Sequence, residues 1–242
     1  MFRRSSVRVY RMRSSSAGGV RHGKAVEVSG PKYHATIKRR AAAVRGLQSG
    51  GVVQPDSVSF GHERVLWLQP DVQLPSVGHV DTAQWSVEQT LVFARSLLEA
   101  LSEMHEGGLV HGQLDTATVR VRMSGGVPRA VITDIPPVVV SGWSEHAAPE
   151  VQLGEGVSSA SDIFGAGYVI ASVLSGRAID GAGRHPSWLR EEPGAVDFRL
   201  PAGAAWLAPL LEPLLRRRPE DRPYDAFLVA QQFARALGEA SA

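Results

Sequence analysis

The sequence predicts an α+β fold in two unequal parts, strands first and helices after. Three observations predict it. Short alternating stretches crowd into the first third of the 242 residues and recur in one hairpin-like region near the middle. The strongest 3.6-residue periodicity comes later, in "SVEQTLVFARSLLEALSEMHEGG". A second long segment, "SDIFGAGYVIASVLSG", is apolar on nearly every side, the pattern of a helix at the centre of a core.

Each element has a local reason. "GKAVEVSG" (23–30) alternates as a strand does, and "ATIKRRAAAVRGLQ" (35–48) is a short Ala- and Arg-rich helix ended by Gly50 and Gly51. "SVSFGHERVLWLQP" (57–70) reads as two strands turning around Gly61 and His62, and "LPSVGHVDTAQW" as a connector. In the long helix Ser86 and Gln89 form a capping box. Leu91, Ala94, Leu98, Leu101 and His105 share one face, and Gly107 and Gly108 end the run. "TVRVRM" and "RAVITD" flank a turn at Gly125 and Gly126. Two further helices are expected near Ala204–Arg217 and Tyr224–Leu237. The domain reading is a basic leader over 1–22, a reduced strand-rich lobe over 23–70 and a helical lobe over 71–242.

Composition narrows the function. The chain has no cysteine, which excludes disulfides, thiol nucleophiles and zinc–thiolate centres. No apolar run reaches the roughly 18 residues that a membrane span needs. Seven of the positive charges fall within residues 1–26, where there is no acid, so a net charge of +2 leaves the rest of the chain at −5. A mildly acidic body is not that of a nucleic-acid binder. The stretch "MFRRSSVRVYRMRSSSAGG" has the composition of a mitochondrial transit peptide; a disordered basic tail or a start codon placed too early reads the same way. The location is therefore intracellular: mitochondrial if residues 1–22 are a transit peptide, cytoplasmic otherwise. The eight histidines form no H-E-x-x-H pair, and no G-x-S-x-G elbow occurs.

The order of landmarks resembles the helical lobe of the eukaryotic-type Ser/Thr protein kinases. "LVHGQLDTATVRV" lies where that family carries H-R-D-L-x-x-x-N. "AVITDIP" stands at D-F-G and "AAPEV" at A-P-E. "SASDIFGAGYVIASVLSGR" is similar to the helix that opens with a buried Asp, and "RRRPEDRP" to the segment whose Arg pairs with the Glu of A-P-E. The resemblance covers residues 86–237, and less clearly 55–70.

Taken position by position, the resemblance implies a scaffold without its chemistry. Phosphoryl transfer needs a base, two metal-holding groups, a phosphate-gripping Lys and a Gly-rich cover. His111 is kept, but Gly112 stands at the Arg position, and Gln113, which cannot take a proton near neutral pH, stands at the base position. Asp115 replaces a Lys, Thr118 the metal-binding Asn, and Asp134 is followed by Ile135 and Pro136 in place of Phe and Gly. No G-x-G-x-x-G precedes the first strand. The Lys position falls on Glu27 if "AVEV" is the matching strand and on Lys38 if "ATIK" is; the helix that follows favours the first. No Glu lies between Glu27 and Glu63, so the helix offers no Glu partner. Asp134 and Lys38 are the nearest candidates for holding a nucleotide, and no metal site is expected. Ser141 or Ser144 could be modified, but Gly112 removes the Arg that would grip a phosphate there.

The positions that hold the lobe are kept: Asp162, and Glu150 with Arg222 as a buried ion pair, while His111 is expected to be a packed core residue. The expectation is thus a catalytically inactive kinase-fold domain, a pseudokinase, that binds or scaffolds one or more proteins and needs no cofactor. One alternative is a weakly active or atypical kinase using Asp134 with ATP and magnesium. The other is a structural subunit of a larger assembly, mitochondrial if the leader is real.

Overall fold

The computed structural model describes residues 7–16, 19–139, 147–176 and 200–240. Strands β1 (Val7–Ser16) and β2 (Gly19–Ser29) pair along their whole length as an antiparallel hairpin. Helix α1 (His34–Gly46) follows, then β3 (Ser57–Phe60) and β4 (Arg64–Pro70). The four strands form one antiparallel sheet in the order β1-β2-β4-β3. Alternation along β4 buries Val65 and Trp67, and α1 turns Ile37, Ala41 and Val44 into the same apolar cluster. The spacing of those three residues is that of one helix face.

A linker leads to α2 (Val87–Glu106), which starts with a complete capping box between Ser86 and Gln89. A second hairpin, β5 (Val119–Ser124) and β6 (Val127–Ile132), turns at Gly125 and Gly126, both at positive φ. The short α3 (Pro149–Gln152) precedes α4 (Ser159–Ser175), which is buried over nearly its full circumference. α5 (Ala208–Leu211) and α6 (Ala226–Ala240) complete the lobe. α2 is its axis and packs against α6, β6 and α4. Where Gly165 of α4 passes the loop before β5, a Cβ would lie 2.5 Å from the Leu114 carbonyl oxygen, so a larger residue cannot make that crossing.

Two expectations are corrected. Residues 7–16, read from sequence as part of a leader or disordered tail, are β1. Val7 and Val9 alternate with Arg8 and Tyr10, but Arg11 and Arg13 then fall on the valines' face and break the period of two. The upper lobe thus includes residues 7–16 ahead of residue 23, and the charge division at residue 26 cuts through its sheet. Residues 1–6 of the proposed leader lie outside the described residues. The expected helix at Ala204–Arg217 is instead a 3₁₀ turn over Ala202–Leu207 followed by the single turn of α5. Pro209 enters at its first turn, and Pro213 lacks the N–H that a longer helix would need.

Candidate functional site

Residues 109–118 between α2 and β5 are held by their main chain. Asp162, 1% exposed at the start of α4, accepts from the His111 N–H and the Gly112 N–H, each at 2.7 Å. His105 Nε2 lies 3.1 Å from the same carboxylate. The His111 ring is completely buried. Its Nδ1 faces the Gln113 N–H at 3.2 Å and its Nε2 the Thr133 carbonyl at 2.9 Å. A main-chain N–H can only donate, so Nδ1 is the acceptor and Nε2 carries the proton. Both ring nitrogens are thereby used in packing the loop.

Gly112 has φ +78°, and a Cβ there would lie 2.7 Å from Val139 Cγ1 and 2.8 Å from Val157 Cγ1. Apolar side chains fill the place of any longer residue. Gly112→Ala is therefore expected to destabilise the protein by about 1–3 kcal/mol through overpacking and left-handed backbone strain, read as a lower urea midpoint.

Thr118 is tied into its own turn. Its Oγ1 accepts from the Asp115 N–H at 2.9 Å and has acceptors at Gln113 O, Asp115 O and Asp115 Oδ1, all within 3.2 Å. Asp115 Oδ1 in turn accepts from the N–H groups of Ala117 and Thr118. Asp134 follows β6 in the left-handed region, φ +60°, rare for a residue with a side chain. Its Oδ2 receives Lys24 Nζ of β2 at 2.9 Å.

Between the lobes lies a cavity of about 550 Å³. Val7, Lys24 and Val26 line it from the sheet, Gln113, Thr118, Arg120, Asp134 and Val138 from below. Lys24 was missed from sequence. It lies one strand face away from Glu27, the position the motif favoured, and shares its face with Val26 and Val28; that alternation within "HGKAVEV" was the available signal. Glu27 points to the other face, opposite Arg8, with Arg64 at 3.7 Å. Lys38 is on the exposed side of α1, 5.4 Å from the Phe60 ring, and does not line the cavity. The structure therefore corrects both sequence candidates for the cleft lysine.

A second residue missed from sequence is Arg40. From α1 it donates to the carbonyls of Val110 (3.0 Å) and Pro136 (3.1 Å), tying the helix to the loops of the lower lobe. Burial pushes its guanidinium below its ordinary pKa, and the negative field of Asp162 works the other way. It stays charged regardless, since an Arg cannot deprotonate in this range.

Below the cleft, Glu150 of α3 and Arg222 form a bidentate pair at 2.7 and 2.8 Å, the Arg side chain fully buried. Ser161 also donates to Glu150, and the remaining Arg222 donors reach the carbonyls of Ala160, Arg216 and Arg217. Among the described residues no three His, Asp or Glu side chains gather as a metal cluster, and no helix is long and apolar enough to cross a membrane. Ser141 and Ser144 lie outside the described residues.

A solved structure of the Mycobacterium tuberculosis PknI kinase domain, a double mutant, superposes with a TM-score of 0.64, covering 97% of this chain and 96% of that one at 16% identity. Over 153 residues, 58% of this chain, the sequence is 28% identical to the serine/threonine-protein kinase PkaA of Streptomyces coelicolor. The chain has a protein-kinase-like fold and is similar in sequence to Ser/Thr protein kinases. A probable serine/threonine-protein kinase of the same organism is 27% identical over 123 residues. The matches span only 27% and 17% of those two kinases' own lengths. No family model matches.

The loop at 110–118, whose sequence resembles the H-R-D-L-x-x-x-N motif, lies beside Lys24, Asp134 and the cavity. Magnesium beside nucleotide phosphates is held by one or two protein carboxylates as well as by the phosphates. Here Asp134 is engaged by a lysine, and the Thr118 hydroxyl is bonded inside its own turn. The residues do not fit that cation.

Proposed function

We propose that the chain is a catalytically inactive kinase-fold domain, a pseudokinase, that acts inside the cell as a protein-binding or scaffolding module without ATP or magnesium. The observation that carries this reading is the residue at the base position. Gln113 follows a His111 whose ring is fully occupied in packing, and an amide cannot accept a proton from an incoming hydroxyl. The knotted Thr118 and the lysine-paired Asp134 support it. So does the valine-filled space at Gly112, where the resemblance places a phosphate-gripping Arg.

The test is phosphoryl transfer from magnesium-ATP to the protein itself and to a general substrate, alongside thermal melting. Wild type is expected to transfer nothing. Ligand at 100 times its dissociation constant stabilises a protein by about 2.7 kcal/mol, so the melt should stay unmoved by magnesium-ATP. Gln113→Asp is expected to remain inactive, because it restores a base without restoring the metal ligands. Transfer by that single variant overturns the reading.

A second reading, a weakly active kinase, is favoured by one feature: Lys24 and Asp134 both line an open cavity. It requires autophosphorylation that vanishes in Asp134→Ala.

A further inference from the structure

We infer that the cleft takes a small organic anion with an apolar body, gripped by Arg120 and bound without a divalent cation. The cavity has the volume of a small-molecule site, about 550 Å³, within the usual range for such pockets. Val7, Val26 and Val138 supply apolar lining. Of the charged residues on its wall, Lys24 and Asp134 neutralise each other at 2.9 Å. Arg120 is left. It has no carboxylate partner among the described residues, and its Nη1 reaches only the Leu74 carbonyl of the linker, at a long 3.4 Å. A carboxylate or phosphate oxygen is the partner that a guanidinium fits best.

The position is rigid. The neighbours Val119 and Val121 are buried, and the Arg120 main chain bridges to Ser76 of the linker. The guanidinium therefore meets a ligand already placed, on the linker side of the cleft and apart from the Lys24–Asp134 pair. If Arg120 merely packed its stem against the linker, the cleft would show no preference between an anion and its neutral analogue.

That difference is the test. Binding of 1-naphthoate and of neutral 1-naphthamide is measured by calorimetry on the full chain in EDTA, with wild type, Arg120→Gln and Arg122→Gln. Arg122 lies two residues further along the same face of the strand but outside the cavity lining, donating to the Gly50 carbonyl. Wild type should bind naphthoate at least tenfold tighter than the amide. Arg120→Gln should abolish that preference and Arg122→Gln should keep it. In wild type, methyl NMR shifts of Val26 and Val138 should move on titration, which holds the inference to account even if Arg120→Gln folds poorly. Equal binding of the two compounds, a preference that survives Arg120→Gln, or no binding at millimolar naphthoate overturns it. Phosphoryl transfer is not read, so this outcome is separate from that of the inactive-kinase reading.

Discussion

Arg222→Ala is expected to yield protein that is largely insoluble or unfolded at 25 °C. The substitution strips Glu150 of both its bidentate bonds and leaves a carboxylate in a site where the arginine side chain is fully buried. Breaking a buried pair from one side costs about 3–5 kcal/mol, against a total stability of roughly 5–15 kcal/mol for a domain. Three main-chain carbonyls, of Ala160, Arg216 and Arg217, lose their donors in the same step. The contact of the guanidinium with the Phe164 ring, 4.9 Å from its centroid, is lost as well. Soluble yield and the urea midpoint of whatever folds are the measurements. Glu150→Met combined with Arg222→Met removes both charges and should lie closer to wild type than either single change. A double variant as unstable as Arg222→Ala would show that the charges are not the source of the loss.

Asp162→Ala should be nearly as damaging, through the loop rather than through a pair. One carboxylate satisfies the amides of His111 and Gly112 and faces the imidazole of His105. Without it, one buried and one half-buried N–H donor lose their acceptor, at about 1–3 kcal/mol for the buried one. Hydrogen exchange localises the effect: the amides of residues 111 and 112 should exchange orders of magnitude faster, while those of β2 and β4 change with global stability only. Protection retained at 111 and 112 would mean that the loop is held by something other than Asp162.

The helical lobe was readable because its signals are local or come as well-spaced motifs. The capping box at Ser86 and Gln89, the apolar stripe of α2 and the all-round apolarity of α4 each specify a helix from within it. "AAPEV" and "RRRPEDRP" led to expecting Glu150 beside Arg222, and the two are in bidentate contact. Apart from the Ala204–Arg217 helix, which Pro209 and Pro213 break locally, what failed depended on pairing between distant segments. β1 was hidden because its arginines fall on both faces, Arg8 on one and Arg11 and Arg13 on the other, and look like a tail until a partner strand pairs with them. Lys24 was hidden because choosing the lysine requires knowing which face of β2 meets Asp134, 110 residues away. Arg40 was hidden because its partners are main-chain carbonyls, which carry no residue identity to search for.

The Arg40 clasp bears on how the two lobes can drift in evolution. The joint made by Arg40 ignores what side chains stand at 110 and 136, because it grasps only their peptide oxygens. Substitutions there leave the clasp closed, whereas a change at position 40 opens it. It also needs neither a carboxylate on α1 nor a phosphate between the lobes, so the hinge is set in its posture before anything enters.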